Sequence, residues 1–336
     1  MTSRTAARTT SEMLFPPVAI TSEITGLVAD ICERVGSLTA LQSAAGKLRL
    51  RRENRVKSVQ ASLQIEGNTL VLEQVTALLD GRRVIAPPKD IQEARNALDA
   101  YARMGDWDPL SQADLLAAHG VLMRALVDHP GQFRAGGVGI RRGEDLLHVA
   151  PPADRVPALM KALFAEMRKS KEHPLITSCR FHYEFEFIHP FPDGNGRLGR
   201  LWQTLLLARW RPVFANLPVE TLVRDRQADY YAALAATDQA GHPSPFVLFM
   251  LTAIRDALAE TARSAAGGNS SQKASRKTSQ KILSLLRSDP EVTIAGMCDR
   301  LGLSDRAIKN QLAKLKEQGK IRRVGPDKGG HWEILS

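Results

Sequence analysis

Apolar residues recur at helical spacing through most of this chain, and that period limits what it can fold into. Ile24, Leu27, Val28, Ile31, Val35 and Leu38 follow Thr21-Ser22 at steps of three and four, the pattern of one buried helix face. A second helix is expected from about Arg51 to Ile65, stopped by Gly67-Asn68. Thr69 is read as the cap of a short helix ending at Gly81. Beyond Pro87-Pro88, the residues Ile91, Ala94, Leu98 and Tyr101 mark another. Further helices are expected over Ser111–Leu126, Asp154–Lys169, Pro174–Phe187, Asn195–Trp210, Arg224–Ala236 and Phe246–Arg263. One stretch breaks the period. Gly131–Pro152 carries Gly136, Gly137, Gly139 and Gly143 around short apolar runs and reads as a hairpin or flap.

At 336 residues the chain suggests two or three domains. Its 43% hydrophobic and 24% charged content is that of a globular protein and excludes a largely disordered one. The longest apolar stretch, Phe246–Ile254, is far short of the ~18–20 residues a membrane span needs. Three cysteines without CxxC spacing argue against a zinc ribbon or a disulfide scaffold and fit a reducing cytoplasm. Met1–Thr10 lacks the apolar core of a secretory signal and reads as a frayed tail, with a transit peptide the alternative.

Charge divides the chain unevenly. The overall balance is +10, yet Arg263–Ser336 alone holds 15 Lys+Arg against 7 Asp+Glu, a net of +8. A polyanion partner therefore belongs to the C-terminal quarter. The segment 263–277, rich in Gly, Ser and Lys, reads as a linker. After it, 278–336 has a helix ending near Gly302 and a second helix capped by Ser304, with Ile308, Leu312 and Leu315 apolar. Two short apolar runs then flank Gly325–Gly330. This resembles a winged helix-turn-helix unit, whose second helix enters a major groove while the wing meets phosphates. Docking onto a protein is the alternative reading.

The chemistry concentrates in His189-Pro190-Phe191-Pro192-Asp193-Gly194-Asn195-Gly196-Arg197-Leu198-Gly199-Arg200. Gly194-Asn195-Gly196 allows close backbone approach at the start of an apolar-periodic helix, where free N–H groups and the helix dipole attract an anion. Arg197 and Arg200 stand three apart on the first turn and can reach one polyphosphate. Asp193 suits an Mg²⁺ shared with phosphate oxygens. His189 is the group there that can take a proton near neutral pH. The GxxxxGK[ST] pattern of a Walker loop is absent.

This stretch matches every specified position of HxFx[DE]GNGRxxR and so resembles the signature of the Fic family. The resemblance implies a mainly α protein: a Fic-type helical core with a β-hairpin flap, followed here by the winged unit. It divides the chain into an N-terminal helical segment (1–110), a catalytic core (111–262), the linker and the C-terminal domain. It implies a protein adenylyltransferase that moves AMP from ATP to a Ser, Thr or Tyr hydroxyl, self-modification included. His189 would be the general base and Asp193 the Mg²⁺ ligand. Gly194, Asn195 and Gly196 would form the anion hole, Arg197 would hold phosphates, Arg200 would hold the γ-phosphate, and Phe191 would anchor the loop.

By the same resemblance the flap, 136–152, would dock the target as an added strand. Tyr231 would border the nucleotide, with simple packing at a helix face the alternative. Ser62-Leu63-Gln64-Ile65-Glu66-Gly67 matches the family's inhibitory pattern [ST]xxxE[GN]. Glu66 would then pair with Arg200 and hold ATP out of its productive pose. A DNA-binding regulator with a nucleotide-sensing Fic domain is the second reading, and removal of AMP by a Glu66-positioned water is a chemical variant of the first. The sequence leaves the oligomeric state open, a homodimer among the choices.

Overall fold

In the computed structural model, residues 15–41, 44–137, 139–142, 145–317, 319–325 and 330–335 are described. The helical period translates into α1 (Ser22–Leu41), α2 (Ala44–Ile65), α3 (Leu72–Leu79), α4 (Pro88–Ala102) and α5 (Gln112–Leu122). A hairpin follows, β1 (Gly139–Arg142) paired antiparallel with β2 (Asp145–Val149). Then come α6 (Val156–Lys169), α7 (Pro174–Ile188), α8 (Asn195–Trp210), α9 (Val219–Asp225), α10 (Gln227–Ala240) and α11 (Ser244–Ser288). The chain closes with α12 (Ile294–Leu301), α13 (Asp305–Glu317) and a second antiparallel pair, β3 (Ile321–Val324) with β4 (His331–Ile334). The protein is mainly α, with a small hairpin and a C-terminal winged helix-turn-helix unit.

Two compact units divide at Ala262/Arg263. In the first, α7 and α8 form the centre. Phe181, Phe185, Leu198, Leu201 and Trp202 are fully buried. Gly199 lets the two helices meet closely, since a Cβ there would lie 2.9 Å from Glu186 Oε1 and 3.2 Å from the Phe185 ring. Val56, Val59 and Leu63 of α2 join the same core, whereas Ile24, Ile31 and Val35 of α1 pack with Phe246, Val247 and Ile254 of α11. The second unit has its own core of Ile282, Leu286, Met297, Ile308, Leu312 and Trp332. Thr293 Oγ1 caps α12 by accepting the Gly296 N–H, and Gly302, at φ +64°, ends it.

Several boundaries differ from the sequence expectations. Thr69 does not cap α3. Its N–H and hydroxyl bind the Asp90 carboxylate, and the helix starts after Val71. The helix expected over Ser111–Leu126 starts after its Ser111 cap and stops at Leu122, and Ala125 is left-handed at φ +59°. The helix expected over Arg224–Ala236 is broken at Arg226. The segment read as a linker is helical along its backbone, as part of α11. Helix already nucleated and packed at both ends propagates through a weak stretch far more cheaply than it starts there. The expectations for Met1–Thr10 and for the tip of the wing, 326–329, lie outside the described residues.

Candidate active site

The end of α2 is built to present one carboxylate. Its last turn closes in a Schellman arrangement: Asn68 N–H donates to Leu63 O at 3.1 Å and Gly67 N–H to Gln64 O at 3.0 Å. Gly67 supplies the positive φ, +86°, which places Glu66 at the C-cap. From the other side, Arg224 Nη1 donates to Gln60 Oε1 and Gln64 Oε1, both at 3.1 Å, and Gln227 Nε2 donates to Ile65 O at 2.9 Å. Ser58 Oγ donates to the buried Glu220, which also accepts from Tyr101 and Thr204.

Glu66 thus meets Arg200. Arg200 Nη2 donates to Glu66 Oε1 at 2.7 Å and to Ser62 O at 3.1 Å, and its Nε donates to Ser62 Oγ at 3.1 Å. Arg200 is 3% exposed, and three of its hydrogen bonds go to α2. Burial alone would lower its pKa, but the surrounding groups, Glu66 foremost, together hold it above the ordinary arginine value. The same Glu66 oxygen rests on Gly196, where any Cβ would overlap it. The carboxylate therefore fills the space over the first turn of α8, the place expected to take an anion.

The loop before α8 is braced from within. Asn195 Nδ2 donates to Phe191 O at 2.8 Å, and Phe191 N–H returns a bond to Asn195 Oδ1 at 2.9 Å. The Asn195 side chain is thus spent on the loop's own backbone. Gly194, at φ +84°, lies over Met123, leaving no room for a Cβ. Phe191 is fully buried and stacks on His119 with ring centroids 3.7 Å apart.

His119 was not singled out in the sequence. The Gly131 N–H donates to its Nδ1 at 2.8 Å, so its proton sits on Nε2, which donates to Asp193 O at 3.1 Å. Burial brings its pKa down to about 4, against the pull of the Asp193 carbonyl.

His189 follows the last residue of α7 in a left-handed conformation, φ +47° and ψ 63°. For a residue with a Cβ this costs roughly 1–2 kcal/mol, so its surroundings must hold it there. Its Nδ1 lies 3.9 Å from Glu186 Oε2. Burial pushes the Glu186 carboxyl up to about 8, with Arg200 pulling down and Glu66 pushing up. Glu186 also faces His182, which bonds Gln203 and Tyr230 and is brought to about 3 by burial.

Asp193 is half exposed. Its Oδ1 takes Arg197 Nη2 at 3.0 Å and the Gly194 N–H. Arg197 is buried and pairs on its other side with Glu93 Oε1 at 3.2 Å, while Glu93 Oε2 accepts from Asn68 Nδ2 at 2.8 Å. Arg197 Nε is buried and makes no hydrogen bond among the described residues. An unused cationic donor and an exposed carboxylate side by side fit a metal–phosphate group. Among the described residues no cluster of three or more His, Cys, Asp or Glu could hold a metal alone. Magnesium held through one carboxylate and substrate oxygens needs no such cluster. Tyr231 is half-buried beside Tyr230, and burial, then the nearby Glu66 charge, raise its pKa.

The model of the Fic/DOC family matches residues 109–207. A Fic family protein from Desulfovibrio desulfuricans G20, solved by crystallography, is 48% identical. The match covers 96% of this chain and 98% of that one, with a TM-score of 0.72.

The chain belongs to the Fic family.

Curated relatives of this Fic protein include protein adenylyltransferase fic-1 of Caenorhabditis elegans, 32% identical over 224 residues. Protein adenylyltransferase Fic of Aedes aegypti is 29% identical over 216 residues. These matches cover 62% and 60% of this chain but only 42% and 40% of the relatives, so the chain spans less than half their length. A solved fragment of C. elegans Fic-1 shares the fold at 22% identity and a TM-score of 0.62. A winged helix-turn-helix DNA-binding family matches residues 275–322 of this Fic protein.

Proposed function

We propose that this Fic protein is a protein adenylyltransferase held in check by Glu66. A Ser, Thr or Tyr oxygen of the target attacks the α-phosphorus of ATP, a P–O bond forms to that oxygen, and the bond to the β-phosphate breaks, releasing pyrophosphate. His189 takes the hydroxyl proton. The amides of Gly194, Asn195 and Gly196 and the side chain of Arg197 face the charge that shifts between phosphate oxygens, and Arg200 anchors the γ-phosphate. Mg²⁺, held by Asp193, would neutralise phosphate charge and fix phosphate orientation. Tyr231 borders the nucleotide. The hairpin, 136–152, aligns the target by strand addition.

One observation carries the proposal: the Glu66 carboxylate occupies the first turn of α8 between Arg200 and Gly196. A negative group in the hollow where ATP would place its own negative charge is an occupant that ATP must displace. Intact-mass measurement of the Glu66→Gly protein with ATP and Mg²⁺, alone and with host lysate, tests it. A gain of one AMP on the chain or on a lysate protein is expected. No adduct on either would overturn it, and loss of AMP from a pre-modified protein would favour the removal variant.

A second reading concerns the C-terminal unit, where α13 exposes Arg306, Lys309, Lys314 and Lys316. This basic face suits duplex DNA, which would make the protein a regulator as well as an enzyme. A cytoplasmic setting accords with this reading. Among the described residues no helix is long and apolar enough to cross a membrane.

A further inference from the structure

The buried Arg134 guanidinium spends its donors on four backbone carbonyls. Nε donates to His189 O at 2.8 Å, Nη2 to Ile188 O at 3.3 Å and to Pro151 O, and Nη1 to Gly136 O at 2.9 Å. Its own N–H donates to Pro190 O at 2.9 Å. Two of these carbonyls close α7, where backbone acceptors lack helical partners and a cation is favoured. They belong to the left-handed His189 and the residue before it. The other two stand at the feet of the hairpin: Gly136 precedes β1 and Pro151 follows β2. One planar fork therefore joins the backbone of His189 to both feet of the hairpin. Lysine, with all its donors on one nitrogen at the end of a flexible stem, cannot reproduce that geometry.

We propose that Arg134 is a positioning residue that makes the left-handed placement of His189 depend on the conformation of the hairpin. The base is then held in line when the hairpin is set by an added strand, and slackens when its feet part. This deepens the adenylyltransferase reading and rests on it for the role of His189.

The test uses the full chain with Glu66→Gly, with and without Arg134→Lys. ATP and Mg²⁺ are supplied, AMP adducts are read by intact mass on the chain and on lysate proteins, ATP affinity is titrated, and amide exchange is followed. Arg134→Lys is expected to lower AMP transfer at least about tenfold with ATP affinity within about twofold. Exchange is expected to rise together over 186–191 and over the hairpin feet. Parallel loss of ATP affinity and transfer, or faster exchange in one segment only, would overturn the proposal.

Should the lysine variant not fold, exchange of the unsubstituted chain in mild denaturant decides. The two segments are expected to open together, and separate opening overturns the coupling. Absence of AMP transfer in the Glu66→Gly parent counts against the reaction, whereas the exchange result still decides the role of Arg134.

Discussion

Glu66 closes on Arg200 at 2.7 Å across 134 positions of sequence, and the arginine gives α2 two further hydrogen bonds through Ser62. A guanidinium committed in this way must be released before it can anchor a phosphate. Glu66→Gly is expected to raise AMP transfer at least about tenfold, equivalent to ~1.4 kcal/mol of barrier, with a smaller change in ATP affinity. Adding Arg200→Ala is expected to reverse the gain. Rates of labelled AMP incorporation for the three proteins check both, and an unchanged rate in Glu66→Gly would make the pair a structural contact only.

Replacing His189 by alanine is expected to abolish transfer while ATP affinity stays within about twofold. The imidazole stands beside Glu186, outside the first turn of α8, so under the proposed reaction it bears on the proton and not on the phosphates. Incorporation and nucleotide titration on the same preparation separate the two effects. Full activity in His189→Ala would remove it from the mechanism.

Stability should depend on pH through the buried groups of α7. Glu186 has its pKa raised to about 8 from an ordinary 4.5, so the folded chain keeps a proton that the unfolded chain has lost. Its contribution is complete below pH 4.5 and disappears as pH rises through about 8. His182 is brought down to about 3 from 6.5, so its contribution is present above pH 6.5 and is lost on acidification. The melting temperature is expected to fall between about pH 6.5 and 8, and Glu186→Gln to flatten that arm while leaving the acid arm. A Glu186→Gln protein with the same alkaline slope as the parent would refute the assignment.

Binding of duplex DNA by the full chain, if mediated by α13, should weaken steeply with salt, because each neutralised phosphate releases a counterion. Lys314→Ala is expected to reduce the salt slope by about one unit and to weaken binding alike on all sequences. An affinity insensitive to salt would point to protein docking instead.

The helical frame and the loop 189–200 were legible because both are local signals: a period, a glycine pair, a cation pair three residues apart. Glu66 was legible only through its short motif. The parts that hold these residues in place were not. His119, Arg134 and Glu93 are single polar residues with partners far along the chain, and nothing in their immediate neighbours distinguishes them from solvated side chains. Glu186 meets His182 and His189 within four residues, but its burial comes from elements that the local sequence does not report. The helical backbone of 263–277 was missed for a related reason, since composition reports local preference and not the support of packed helix on either side. The capping expectation for Thr69 fails because a side chain that can cap a helix can also bind a distant carboxylate, here Asp90.

Gly196 carries no side chain. The hollow left by its missing side chain holds a protein oxygen in this state, and under the proposed reaction it must hold a substrate oxygen during turnover. The restraint and the activity share one vacancy. Enlarging residue 196 would evict both occupants at once, so no substitution there can yield an unrestrained enzyme. If Glu66 restrains the proposed reaction, release has to come through α2, leaving the glycine untouched.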